Sequence, residues 1–212
     1  MLSASVRITM HHSGGSGWDI TVDTSSIMLT ALYLRDTAGL QDAGHPAISP
    51  ACPKVRIADP RQAVAHCGGV KELRDQWSRW WHPLASGNRW AVTALDPPDF
   101  DIFKTAPALQ RFCQAHYGAA LAWGQERKSE YTKLQAERVA TGRSEIFADL
   151  VEEREMELGR DARGFTLNIV ELPLSEPRAW YIEPDRLIMS QSLPEDEEGL
   201  RSFVQPVIEL LV

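Results

Sequence analysis

Four carboxylates that recur at every fourth residue form the most regular pattern of chemically active side chains in this sequence. They are Glu145, Asp149, Glu153 and Glu157. On a helix this spacing places all four on one edge, where like charges four residues apart cost about 0.2–0.5 kcal/mol per pair. A divalent cation with oxygen ligands, a basic partner or water could compensate. Because a charged helix face is usually just solvated, a metal-dependent hydrolase built on this row is an alternative, not the leading interpretation.

The other residues that bind metals or act as nucleophiles do not form a recognisable motif. His66 stands beside Cys67, but adjacent side chains on a helix point about 100° apart, and the sequence has neither C-x-x-C nor H-x-x-x-H spacing. The stretch SGGSGW has no following lysine, so it does not match a phosphate-binding loop. We therefore predict no cofactor, except a divalent metal under the hydrolase alternative, and favour a protein that is not an enzyme.

Three tryptophans fall within five positions of the stretch LRDQWSRWWHPL. Trp77, Trp80 and Trp81 share one face of a predicted helix with two leucines, and an apolar stripe of this kind usually packs in the core. The alternative is an exposed aromatic surface, rimmed by Arg74, that binds another protein. Stacking on nucleic-acid bases uses the same residue types, but the acidic balance of the chain opposes it.

The composition is that of a globular protein without affinity for nucleic acid or membranes. The chain has 212 residues, 43% of them hydrophobic, and a formal net charge of −7, which repels a phosphate backbone. No run approaches the length of about 18 apolar residues that a membrane span requires. The three cysteines are odd in number and widely spaced, which favours reduced thiols and a cytoplasmic location.

Strand patterns lie at both ends of the chain, and helical patterns lie between them. Residues 6–22 alternate as a hairpin, and residues 164–191 alternate as three further strands. Helices are predicted over about 26–38, 70–82 and 144–158, with a terminal helix that starts at a capping box of Ser192 and Glu195. Between them, the apolar stripe over 109–121 predicts a helix, and its thinner continuation through Tyr131, Leu134 and Val139 predicts either a second helix or the exposed half of one long helix. The order predicts an α+β fold: one antiparallel sheet from the N-terminal hairpin and the C-terminal strands, with helices packed on one face.

We expect a single domain over residues 1–212, with a helical middle at about 105–160 that can protrude. The apolar stripe of this middle thins beyond Trp123, and the acidic helix is unbalanced. Both features favour a non-catalytic cytoplasmic protein that binds another protein or self-associates. The predicted interaction residues are Trp77, Trp80, Trp81, Arg74, Tyr131 and Leu134. The alternatives are the metal-dependent hydrolase and a small-ligand sensor with a pocket between sheet and helices.

Overall fold

The computed structural model describes the backbone of residues 6–10 and, in full, residues 17–56, 67–88, 91, 95–143 and 145–212. Within these ranges the fold is α+β, as predicted. Its strands are β1 (Val6–Met10), β2 (Trp18–Asp23), β3 (Thr166–Leu172), β4 (Ala179–Ile182) and β5 (Arg186–Ser190). Its helices are α1 (Ser26–Thr37), α2 (Val70–Ala85), α3 (Pro107–Ala140), α4 (Ile146–Leu158) and α5 (Glu197–Leu211). None of these helices is long and apolar enough to cross a membrane.

The chain divides into two compact units. The sheet unit comprises residues 1–24, 129–171 and 177–212, and the helical unit comprises residues 25–128 and 172–176. The helix α3 contributes residues to both units. That residues 1–212 behave as one domain with a protruding middle stays a prediction.

The sheet has the strand order β1-β2-β3-β5-β4 and is mixed. The pairs β1–β2 and β4–β5 are antiparallel, whereas β2 and β3 run parallel, with Ile20 opposite Leu167. The prediction of a purely antiparallel sheet is therefore wrong. A tight turn forces antiparallel pairing only between strands that it joins directly. The whole helical middle separates β2 from β3, so no turn sets their relative direction.

One face of this sheet forms the core of the sheet unit. Alternate residues of β2 and β3 are buried on it, including Trp18, Ile20 and Leu167. Residues of α4 and α5 belong to the same apolar cluster: Phe147, Leu150, Val151, Leu200, Val204, Val207 and Ile208. Apolar residues recur at every second position of the strands and at every third or fourth position of α4 and α5. Both repeats place their apolar side chains at the same interface between sheet and helices.

Two helix ends differ from the predicted ones. Ser192 opens a short 3-10 turn, Leu193–Glu195, and makes no capping hydrogen bond within the described residues. The N-cap of α5 is instead Asp196, whose side chain accepts a hydrogen bond from the Gly199 amide at 3.1 Å. The helix α2 continues past Pro83 to Ala85. A proline in the last turn of a helix removes one hydrogen bond there, and this loss does not end the helix.

The tryptophans of α2 form the centre of the helical unit. The rings of Trp77 and Trp81 stack with their centroids 5.2 Å apart. Their indole N–H groups donate to the Ala31 carbonyl at 3.0 Å and to the Pro46 carbonyl at 3.1 Å. Gly44 lies against both rings with a φ of +96°. The rings are thus fixed by packing and by hydrogen bonds to two other segments.

Candidate functional site

The residues predicted for interaction lie mostly in the interior of their units. Trp77, Trp80 and Trp81 are buried in the helical unit, and Tyr131 is buried in the sheet unit. Arg74 and Leu134 are half-buried. The three indole rings therefore belong to the core of the helical unit, and an interaction through these six residues stays a prediction.

The predicted carboxylate row lies along the solvent side of the sheet unit. All four side chains are exposed. Glu145 is the N-cap position of α4, and Asp149 occupies its first turn, where negative charge is favourable. Glu157 pairs with Arg154 at 2.9 Å. Repulsion along the row is therefore reduced by the helix dipole and by arginines of the same unit.

Arg201 of α5 makes the best-defined contact to this row. It donates two hydrogen bonds to the Glu153 carboxylate, at 2.7 and 3.0 Å, and a third to Glu197 at 3.1 Å. These hydrogen bonds hold the pKa of Glu153 below its usual value. Because both side chains are partly exposed, the pair contributes at most about 1 kcal/mol. Its main effect is to connect α4 to α5.

A shallow groove runs between α4 and α5. Leu150 and Ile208 form its floor, and polar side chains line its sides: Glu153, Arg154, Glu157, Gln205 and Glu209. Of the exposed large apolar side chains on the same helices, two project furthest into solvent, Met156 with 74% of its surface exposed and Leu210 with 65%. We call the exposed residues of α4 and α5 the acidic face. It combines carboxylates with unpartnered apolar groups, which is typical of a surface that binds a protein.

The acidic face does not arrange its carboxylates as a metal site. Within the described ranges, no three His, Cys, Asp or Glu side chains come together so that they could hold a metal ion. Two of the four carboxylates in the row already accept hydrogen bonds from arginines. The geometry thus gives the hydrolase alternative no support.

A buried ionic network lies elsewhere in the sheet unit. Arg138 of α3 donates to the Glu171 carboxylate at 2.7 Å, and Gln135 donates to the same oxygen at 3.2 Å. Arg138 also donates to the Gln191 carbonyl and contacts Glu195 at 3.4 Å. The Arg138 and Glu171 side chains are only 4% and 1% exposed. Sequence analysis missed this network, although Glu171 follows Leu167 and Ile169 in the core-facing register of β3.

The space beside this network is too small for a substrate. It measures about 10 Å³, which is room for one water molecule. Its lining includes Val22, Phe147 and Pro194. A buried carboxyl group without space for a reactant is better explained as a structural element than as a general acid or base.

The stability of the sheet unit is expected to fall as the pH rises from about 4.5 to about 7. Burial raises the pKa of Glu171 from 4.5 to about 7, although Arg138 partly offsets this. In that window the folded chain holds a proton that the unfolded chain releases, so ionisation costs on the order of 1–3 kcal/mol by pH 8.

Urea unfolding at several pH values would test this expectation on the wild type and on Glu171→Gln. The variant should lack the decline. Burial lowers the pKa of His116, which has the opposite effect on stability, but that contribution is common to both proteins and cancels in the comparison. Parallel pH profiles for the two proteins would contradict the role of Glu171.

Comparisons of the chain with known protein families, with curated proteins and with solved structures found no match. The geometry of the sheet unit thus offers two candidates for a functional site, the acidic face and the buried network. The first is exposed and chemically mixed, whereas the second is enclosed and almost fully hydrogen-bonded. Of the two, only the acidic face can contact another molecule directly.

Proposed function

We propose that this chain is a non-catalytic cytoplasmic binding protein whose acidic face contacts a partner protein with a basic surface. The concentration of charge carries the proposal. Residues 145–163 and 195–209 contain twelve acidic and four basic side chains, whereas the remainder of the chain is nearly neutral. The formal net charge of −7 thus arises from the two segments that contain α4 and α5.

Charge of one sign on one face accelerates encounter with an oppositely charged partner and orients it on approach. The affinity itself usually comes from a few apolar anchors that a partner desolvates. Met156 and Leu210 are exposed apolar groups on the same two helices and fit that role. The cytoplasmic assignment is supported by the free thiols of Cys52, Cys67 and Cys113.

The partner is a different chain and not a second copy. In a two-fold symmetric dimer, the same patch of each subunit meets its counterpart. Two acidic faces would then repel each other, and like charges in contact cost several kcal/mol. A lysine- or arginine-rich surface removes this repulsion and can pair with exposed carboxylates such as Glu152 and Glu209.

The double substitution Met156→Ser/Leu210→Ser is expected to weaken partner binding about tenfold or more, because it removes both apolar anchors. The partner would be crosslinked in the source cells, purified and titrated against each variant. The matched control is Leu121→Ser/Val139→Ser, since Val139 is 56% exposed and neither residue lies on α4 or α5. The control should bind like the wild type.

Salt provides a second readout on the same complex. Raising NaCl from about 50 to about 300 mM should weaken binding severalfold, because screening shortens the range of the charge attraction. Recovery of the chain only as a monomer after crosslinking would contradict the proposal. So would a partner with an acidic contact surface, or equal losses in the test and control variants.

A further inference from the structure

The helical unit contains a cavity that the proposed function does not use. Its volume is about 400 Å³, within the usual range for sites that bind small molecules. The described residues that line it come from three separate segments: Asp36 and Gln41, then Pro50, Ala51, Lys54 and Val55, and finally Ser175. Three of these residues are apolar and four are polar or charged, so the walls can contact both parts of an amphipathic ligand.

The wall at Pro50 and Ala51 is held in place from two sides. Arg35, fully buried, donates to the Ile48 and Ser49 carbonyls at 2.8 and 2.9 Å. On the other side, the Ser175 amide donates to the Pro50 carbonyl at 2.8 Å. A wall fixed in this way is preorganised, so a ligand does not have to order it on binding.

Among the described residues that line the cavity, Lys54 carries the charge that no neighbour neutralises. Both carboxylate oxygens of Asp36 are occupied, one by the Arg35 guanidinium at 2.7 Å and the other by the Ala51 amide at 2.7 Å. Asp36 and Arg35 thus neutralise each other in the interior. Lys54 is exposed, and none of the described residues forms an ion pair with it. Within the described part of the chain, the Lys54 ammonium group is thus left without a counter-ion, beside Pro50, Ala51 and Val55.

We propose that this cavity binds a small carboxylate with an apolar body. The apolar body lies against Pro50, Ala51 and Val55, the carboxylate accepts a charge-assisted hydrogen bond from Lys54, and the Gln41 amide and Ser175 hydroxyl complete its hydrogen bonds. This inference does not depend on the acidic face, which lies in the sheet unit.

Decanoate is the probe for this site, and decylamine is its control, because the two share a chain of the same length and carry opposite charges. Amide chemical shifts of the full chain would be followed by NMR during each titration. Decanoate should shift the amides of Ala51, Val55 and Ser175 to saturation, with a dissociation constant on the order of 1 mM or lower. Decylamine should leave these amides unchanged.

Two variants locate the site. Lys54→Met should weaken decanoate binding about fivefold, since it removes one exposed ion pair, while Lys71→Met, an exposed lysine of α2, should bind like the wild type. Ser175→Phe should block binding, because the new ring fills the rim while the amide hydrogen bond to Pro50 can persist. Equal binding of decylamine, unchanged affinity in Lys54→Met, or shifts confined to other amides would each overturn the proposal.

Discussion

Replacing Gly44 by alanine is expected to lower the free energy of unfolding of the helical unit by about 2–5 kcal/mol. A Cβ atom at Gly44 would lie 2.5 Å from Cδ1 of Trp81 and 2.8 Å from Cζ3 of Trp77. Overpacking a filled core typically costs about 1–3 kcal/mol. The φ of +96° adds a further cost of about 1–2 kcal/mol for a residue that has a Cβ atom. The indole rings cannot move aside without losing their stacking and their hydrogen bonds.

The matched control for this substitution is Gly69→Ala in the same unit. Gly69 has a similar φ of +107°, but a Cβ atom there would meet nothing within 4 Å. Its cost should therefore be the backbone component alone. Chemical denaturation of both variants, followed by tryptophan fluorescence, measures the difference. Equal losses would mean that the two rings yield to the new methyl group, contrary to the expectation.

Replacing Arg138 by methionine is expected to destabilise the sheet unit by about 3–5 kcal/mol near pH 8, because it leaves the Glu171 carboxylate buried without its counter-ion. The loss should shrink near pH 5. Without Arg138 the pKa of Glu171 rises further, so the carboxyl is neutral under mildly acidic conditions and no uncompensated charge remains. Chemical denaturation of the wild type and the variant near pH 8 and near pH 5 measures the loss of unfolding free energy at each pH.

Two further variants separate this effect from general loss of packing. The double variant Arg138→Met/Glu171→Met should regain most of the stability, since a buried ion pair replaced by apolar side chains of similar volume is often neutral. Arg143→Met removes an exposed ion pair to Glu195 and should cost less than about 1 kcal/mol. A double variant as unstable as Arg138→Met alone would show that volume, and not charge, determines the loss.

Local patterns in the sequence predicted the elements of this fold better than their arrangement. The alternation of Thr166–Leu172 and the turn before Arg186 identified β3 and β5, because a period of two depends only on neighbouring residues. The direction of β3 relative to β2 depends on contacts between distant segments, and hydrophobic alternation is the same in both directions. At the start of α5, Ser192 and Asp196 are both good capping residues four positions apart, and only the packed structure selects Asp196.

The candidate sites were predicted unevenly for the same reason. The carboxylates of α4 are neighbours on one helix, so their common exposure follows from spacing alone. Their pairing with Arg201 could not be predicted, since it requires α5 beside α4. Glu171 did leave a signal: a charged residue in the buried register of a strand requires a partner. No sequence pattern predicted the cavity, because Asp36, Lys54 and Ser175 come together only after folding.

The parallel pairing of β2 with β3 also constrains the order in which the chain can fold. Thr21 and Asn168, hydrogen-bonded at 3.0 Å, are 147 residues apart in sequence. During synthesis on a ribosome, β2 therefore emerges long before β3. Until β3 has been made, the apolar face of β2 is not packed in the completed sheet. The helical unit is almost continuous in sequence, so most of its contacts can form earlier. The sheet unit has the higher contact order, so we expect it to fold more slowly than the helical unit. Aggregation and chaperone binding are then most favoured while the sheet unit is still unfolded.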